Sequence, residues 1–127
     1  SGIYDRATTD DVYEHLLERA GELLQAGLNV IVDASFLSAA HRGLARQTAE
    51  NAKANYVLLR TVASATGLRD RLTDRAERAN VSEADIAVLR HQFESADALT
   101  AEEKDATITV DTEQQIDIPE LVARLHG

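Results

Sequence analysis

The chain has 127 residues, a net charge of -9 and no cysteine, so disulfide bonds and thiolate metal sites are excluded. The acidic balance argues against binding to a nucleic-acid backbone. No apolar run is long enough to cross a membrane, and the amino terminus lacks a signal-peptide pattern, so we expect a cytoplasmic protein without a membrane partner. The length suits one domain, and we predict that residues 1–127 form it.

Helical and strand-like patterns alternate along the chain. The first predicted helix has candidate N-caps at Thr8 and Thr9 and ends at Gly27. Further helices are predicted over residues 38–54, 64–79, 82–95 and 117–125, with a short helical turn after Thr100, and strands over residues 28–33, 56–62 and 107–111. This order predicts an α/β fold with parallel strands and right-handed crossovers, although three strands make a thin sheet for so many helices.

Residues 28–33 are the stretch around which the predicted sheet is organised. The run is apolar except for Asn29 and ends in the carboxylate of Asp33, as expected of a strand covered on both faces. An Asp at the carboxyl end of such a strand lies where open α/β sheets bind their ligands. Strand-end Asp residues also start turns or cap the following helix, and the pattern alone leaves both interpretations open.

The third predicted helix carries three arginines on one side. Arg71, Arg75 and Arg78 fall within about 60° of one another at 100° per residue. Planar guanidinium groups in this arrangement suit a polyphosphate. Asp74 is placed three residues from Arg71 and four from Arg78, so local ion pairs would equally explain the stripe as a solvated face.

Several other site types are disfavoured by the sequence. The four histidines show no metal-ligand spacing, and the serines after Asp33 lack the glycines of a nucleophile elbow. The paired acids and the well-placed lysine of a response-regulator receiver are missing as well. No G-x-x-x-x-G-K-[S/T] phosphate-binding motif occurs within the 127 residues.

A set of short motifs nevertheless occurs in the order and spacing of one known group. The motifs are Ser-Gly-Ile-Tyr at 1–4, Val-Ile-Val-Asp-Ala-Ser-Phe-Leu at 30–37 with Arg42 after it, Leu-Arg-Asp-Arg-Leu at 68–72, Ser-Glu-Ala-Asp at 82–85 with Val88, Leu89 and Gln92, and Thr-Val-Asp-Thr at 109–112. In these the chain resembles the predicted P-loop kinases of the AAA_33 type. Zeta toxins and gluconate kinases are more distant relatives, and some members follow an aminoglycoside-phosphotransferase-like domain.

The resemblance implies a three-layer αβα fold with a parallel sheet of the P-loop NTPase type. It implies transfer of the γ-phosphoryl group of ATP, assisted by Mg²⁺, to a small-molecule acceptor that the sequence does not identify. By resemblance, Asp33 would bind Mg²⁺ through water or orient the acceptor, and Arg42 would lie on the acceptor side. Arg71, Arg75 and Arg78 would bind the nucleotide from lid helices spanning about residues 64–95, with Arg71 and Arg75 acting in catalysis.

The family's first strand and Walker A loop would precede Ser1, and the first strand normally lies between the third and fourth strands of the sheet. We therefore expect the chain to be the C-terminal portion of a kinase domain, with an incomplete three-stranded core and no activity alone. An upstream segment or a fused domain would supply the phosphate-binding loop. The alternative is a non-catalytic α/β interaction module that forms homo-oligomers or pairs with a partner through an exposed sheet edge.

Overall fold

The computed structural model describes residues 6–79 and 82–126. Its elements are, in chain order, α1 (Arg6–Gln25), α2 (Ala39–Asn51), β1 (Leu58–Val62), α3 (Ala65–Ala79), α4 (Glu83–Glu94), α5 (Ala101–Asp105), β2 (Thr107–Asp111) and α6 (Ile118–His126). Within the described residues, no helix combines the length and the apolarity that crossing a bilayer requires. The fold is mixed α/β, as predicted.

Two compact units make up the described chain. Unit 1 extends to Tyr56 and also includes Ala96–Leu99, whereas unit 2 comprises Val57–Ser95 and the residues from Thr100 onward. The expectation of a single domain stays a prediction.

In unit 1, α1 packs against α2. The buried apolar residues described in this unit are Tyr13, Leu17 and Ala20 on α1 and Ala49 on α2. The α1 positions follow helical spacing, so a single stripe of the helix faces the core. Thr8 and Thr9, predicted as N-caps, lie inside α1, which spans Arg6–Gln25.

Both helices of unit 1 have identifiable ends. α1 ends as predicted at Gly27, whose φ of +87° allows the amides of Gly27 and Leu28 to bond the carbonyls of Leu24 and Leu23. The N-cap of α2 is Ser38, whose side chain accepts from the amide of Ala40. The start of α2 has a second, distant cap, because the Asp97 carboxylate accepts from the amide of Ala39 at 2.8 Å.

The predicted strand over residues 28–33 is not formed. The segment has no ladder partner among the described residues, and β1 and β2 pair with each other in unit 2. Leu28 and Ile31 are 55% and 93% exposed, so the apolar run predicted to be central is uncovered. An apolar run becomes a strand only when another strand satisfies its backbone groups, and unit 1 contains no other strand in its described part.

Unit 2 contains a two-stranded parallel sheet. Leu58 pairs with Thr107 and Val62 with Asp111 at the two ends of the register. This confirms two of the three predicted strands and their parallel orientation, but the three-stranded core is not present in the described residues. Leu72, on α3, is buried, and α3 packs on α4.

The short helical turn predicted after Thr100 is α5, and a capping box of Thr100 and Glu103 begins it. The Thr100 hydroxyl accepts from the Glu103 amide at 3.1 Å, and the Glu103 carboxylate accepts from the Thr100 amide at 3.0 Å. The Asp117 carboxylate caps α6 by accepting from the Glu120 amide at 3.1 Å. The apolar side of α6 is left exposed, with Ile118 57% accessible.

Candidate functional site

Asp33 follows the uncovered apolar segment and carries an exposed carboxylate. In the described residues this carboxylate makes no hydrogen bond or ion pair. It does not cap α2, because Ser38 performs that role. The capping alternative is therefore excluded, and the carboxylate is available to a ligand.

A single carboxylate is compatible with the Mg²⁺ role predicted for Asp33. No group of three acidic or histidine side chains able to hold a metal is formed within residues 6–79 and 82–126. Mg²⁺ in phosphoryl-transfer sites is commonly held by one or two carboxylates, with water and substrate phosphates completing its shell. Asp33 would supply such a ligand, directly or through water, and could not hold the ion tightly without a nucleotide.

The turn after Asp33 has an unusual backbone. Phe36 adopts φ +46°, in the left-handed region that bulky residues rarely occupy. Its amide donates to the Tyr13 hydroxyl at 3.0 Å, and the same hydroxyl lies 3.2 Å from the Ser35 hydroxyl. A side chain on α1 thus holds the turn that carries Asp33.

Arg42 was predicted to face the acceptor, and the structure places its side chain in the interior of unit 1 with 4% exposure. Its guanidinium donates to the carbonyl of Phe36 at 2.9 Å and to those of Asp97 and Ala98, each at 3.1 Å. These bonds connect α2 to the turn after Asp33 and to the segment Ala96–Leu99. The acceptor-side role of Arg42 stays a prediction.

The three arginines that the sequence places on one side of α3 have different surroundings. Arg71 donates to the hydroxyl and carbonyl of Thr112, at 2.5 and 2.8 Å, which fastens α3 to the loop after β2. Arg78 pairs with Asp74 on the same helix. Arg75 is exposed and makes no hydrogen bond or ion pair in the described part of the chain. Of the stripe, Arg75 has the guanidinium most available to an anionic ligand.

The side chain of Glu113 covers the start of α3. The Ser64 hydroxyl and amide donate to the Glu113 carboxylate at 2.7 and 3.0 Å. A Cβ at Gly67 would come within 1.7 Å of that carboxylate, so a larger residue here would displace the Glu113 side chain. The two Ser64 bonds, together with the charge of Arg71, lower the pKa of the Glu113 carboxyl below its ordinary 4.5.

The lowered pKa of Glu113 predicts an acid-sensitive contact in unit 2. The ionised carboxylate stabilises the folded state above pH 4.5, and this contribution is lost as the pH falls through the lower folded-state pKa. We expect Glu113→Gln to reduce stability towards urea at neutral pH, and the difference from the wild type to vanish at the acid end. Urea denaturation across that pH range measures this, with the exposed Glu77→Gln as control. A difference that persists unchanged at low pH would contradict the assignment.

Sequence reasoning missed several residues that organise these surroundings. Tyr13 lies on the buried side of α1, and the available signal was that a buried tyrosine hydroxyl needs a partner. Nothing in the local sequence indicated Asp97, Thr112 or Glu113, because their partners lie 41 to 58 residues away.

Comparison with known proteins gives one match. The family model described as AAA domain (AAA_33) matches residues 2–99, more than half of the 127-residue chain. The match confirms the resemblance inferred from the motifs, although the last of these, at residues 109–112, lies beyond the matched range. No curated protein and no solved structure matches the chain.

Proposed function

Because the chain belongs to the AAA_33 family of AAA domains, we propose that it is part of an ATP-dependent phosphotransferase. The enzyme transfers the γ-phosphoryl group to a small molecule whose identity the site does not specify. The family match over residues 2–99 is the observation that carries this proposal. Asp33 and Arg75 support it, because both offer charged groups without partners in the described residues.

The proposed roles follow from what each group can do. Asp33 would hold Mg²⁺ through a bound water, and the ion would supply positive charge to the phosphates of ATP. Arg75 would add positive charge where negative charge develops on the transferred group. Arg71 and Arg78 would contribute to the same positive surface, although each is engaged in this structure by Thr112 and Asp74 respectively. No covalent intermediate with the protein is required.

The phosphate-binding loop is proposed to come from residues that precede Ser1 in the intact protein, as the family resemblance implies. Two features of the packing support additional sheet structure. A parallel sheet is normally covered on both faces, yet Leu59 of β1 is 44% exposed. The apolar segment that ends at Asp33 also has Ile31 93% exposed. In each unit, additional sheet structure would cover such a surface.

Calorimetric titration with Mg²⁺ and ATP tests the proposal on two proteins, the 127 residues alone and the same residues extended through the proposed phosphate-binding loop. We expect binding only to the longer protein. Asp33→Asn should weaken Mg²⁺ binding to its ATP-loaded form about 10- to 100-fold. Asp11→Asn, which alters an exposed acid of α1 in the same unit, is the matched control. Absence of binding to both proteins would refute the kinase function and leave the interaction module.

A further inference from the structure

The left-handed conformation of Phe36 needs an explanation that its own sequence does not give. Its φ is +46°, and Lys53 shares this region with φ +56°. Lys53 directly follows the C-cap of α2, where its amide and that of Ala54 bond helix carbonyls, so the conformation terminates the helix. Phe36 precedes the N-cap of α2 and has no such role. A phenylalanine in this conformation is strained and persists only where its surroundings enforce it.

Two buried side chains form hydrogen bonds to the backbone of Phe36, one at its amide and one at its carbonyl. The Tyr13 hydroxyl accepts from its amide at 3.0 Å, and the Arg42 guanidinium donates to its carbonyl at 2.9 Å. The ring of Tyr13 also packs on the ring of Phe36, with centroids 5.1 Å apart. Since these groups lie on α1 and α2, the two helices fix the two peptide groups that flank the Cα atom of Phe36.

Tyr13 and Arg42 are themselves held in place by further contacts within unit 1. The Tyr13 ring stacks on His41 with centroids 4.0 Å apart, and His41 contacts the carboxylate of Asp10 at 2.7 Å. Arg42 places its second terminal nitrogen on the carbonyls of Asp97 and Ala98. Tyr13 and Arg42 are 8% and 4% exposed, so neither can move aside without disrupting the packing between the helices.

We propose that Tyr13 and Arg42 are positioning residues for Asp33. They hold Phe36 in the left-handed conformation, and thereby give the turn of residues 33–36 the one geometry in which the Asp33 carboxylate meets its ligand. The inference rests on the proposed function, in which that ligand is hydrated Mg²⁺ on ATP. Without the two contacts, Phe36 relaxes to a right-handed or extended conformation, and Asp33, three residues earlier, changes its direction.

The first experiment measures the turn itself in the full chain by NMR. Tyr13→Phe removes only the hydroxyl and keeps the ring that packs on His41 and Phe36. We expect the Cα and Cβ shifts of Phe36 to leave their left-handed values, and its amide to exchange at least about fivefold faster. Arg42→Lys, which cannot span three carbonyls, should act in the same direction. Tyr56→Phe and Arg46→Lys are the matched controls. If both Tyr13→Phe and Arg42→Lys keep the wild-type chemical shifts and amide exchange rate of Phe36, the inference is overturned, independently of any activity measurement.

The second experiment measures the consequence for Mg²⁺ in the protein that includes the proposed phosphate-binding loop. Phosphate release from ATP is followed as Mg²⁺ is varied. We expect Tyr13→Phe to raise the half-saturating Mg²⁺ concentration about tenfold, with KM for ATP at saturating Mg²⁺ unchanged. Adding Phe36→Gly to Tyr13→Phe should restore the wild-type half-saturating Mg²⁺ concentration, because glycine adopts positive φ without the hydrogen bond to Tyr13. A merely structural role would lower the amount of folded protein without shifting this concentration.

The outcomes separate the two proposals. A changed Phe36 signal with an unchanged Mg²⁺ requirement, in a protein where Asp33→Asn does raise that requirement, refutes the positioning role and leaves the proposed function intact. An unchanged requirement in Asp33→Asn itself refutes the role of Asp33 in the proposed function, and the positioning role falls with it. Failure of Phe36→Gly to rescue Tyr13→Phe would show that the hydroxyl acts other than through the conformation of Phe36.

Discussion

Replacing Arg42 with alanine is expected to lower the free energy of unfolding of unit 1 by about 3 kcal/mol. The guanidinium donates to the carbonyls of Phe36, Asp97 and Ala98, and its side chain is 4% exposed. The substitution removes a charged donor from all three carbonyls and opens a cavity beside α2. Hydrogen bonds from charged groups are worth about 1.5–3 kcal/mol each, and partial access of water to the vacated space recovers some of that.

A residue-resolved method is needed to measure this loss, because a chain with two compact units need not unfold in one step. Amide exchange in α1 and α2 reports the free energy of opening of unit 1, while β1 and β2 report unit 2. The control is Arg46→Ala, one turn along α2, whose guanidinium is 3.5 Å from the Glu50 carboxylate near the surface. This variant should lose under about 1 kcal/mol. Equal losses in the two variants would contradict a central role for Arg42.

Helix ends were predictable because their causes are local. The capping box at Thr100 and Glu103 and the terminating glycine at position 27 each depend on residues within a few positions. The strands β1 and β2 were also recognisable as apolar or β-branched runs, and their parallel pairing follows from the helices between them. For such elements, the residues that determine the structure are close together in the sequence, so the sequence pattern predicts them.

The segment at residues 28–33 shows where this reasoning stops. Its composition is that of a buried parallel strand, yet composition specifies a preference and a strand needs hydrogen-bonding neighbours. The described residues supply none, so the segment is uncovered, with Ile31 93% exposed. The prediction of a buried strand was wrong, because the described residues supply no strand to pair with this segment.

The surroundings of the candidate site depend on contacts that no local pattern encodes. Arg42 bonds carbonyls 55 and 56 residues away, and Arg71 bonds Thr112 across 41 residues. The resemblance predicted Arg42 on the acceptor side, and helical spacing with the resemblance predicted Arg71 as a ligand of the nucleotide. The same reasoning could not separate Arg75, which has no partner in the described chain, from its two neighbours on the stripe. Helical spacing places side chains on a face, and only the tertiary structure shows which of them are already engaged.

Replacing Arg75 with alanine is expected to reduce kcat for phosphate release from Mg·ATP about 10²- to 10³-fold, in the protein that includes the proposed phosphate-binding loop. Its guanidinium is exposed on α3 and unpaired in the described residues, so it can be recruited without breaking an existing contact. Stabilising charge that develops on the transferred group acts mainly on kcat, and KM for ATP should change less. Arg75→Lys should recover part of the rate, because it keeps the charge but loses the planar fork of donors.

The neighbouring arginines make this prediction specific. Arg69→Ala alters an exposed arginine of the same helix outside the stripe and should change kcat by less than about threefold. Arg71→Ala should loosen the contact between α3 and Thr112, and its effect on rate should be accompanied by faster amide exchange at the start of α3. A loss of rate shared equally by Arg69, Arg75 and Arg78 would indicate a diffuse electrostatic attraction for ATP, which added salt would abolish. A loss confined to Arg75 and insensitive to salt would indicate direct contact with the transferred phosphoryl group, because a buried, closed site is screened far less than an exposed helix face.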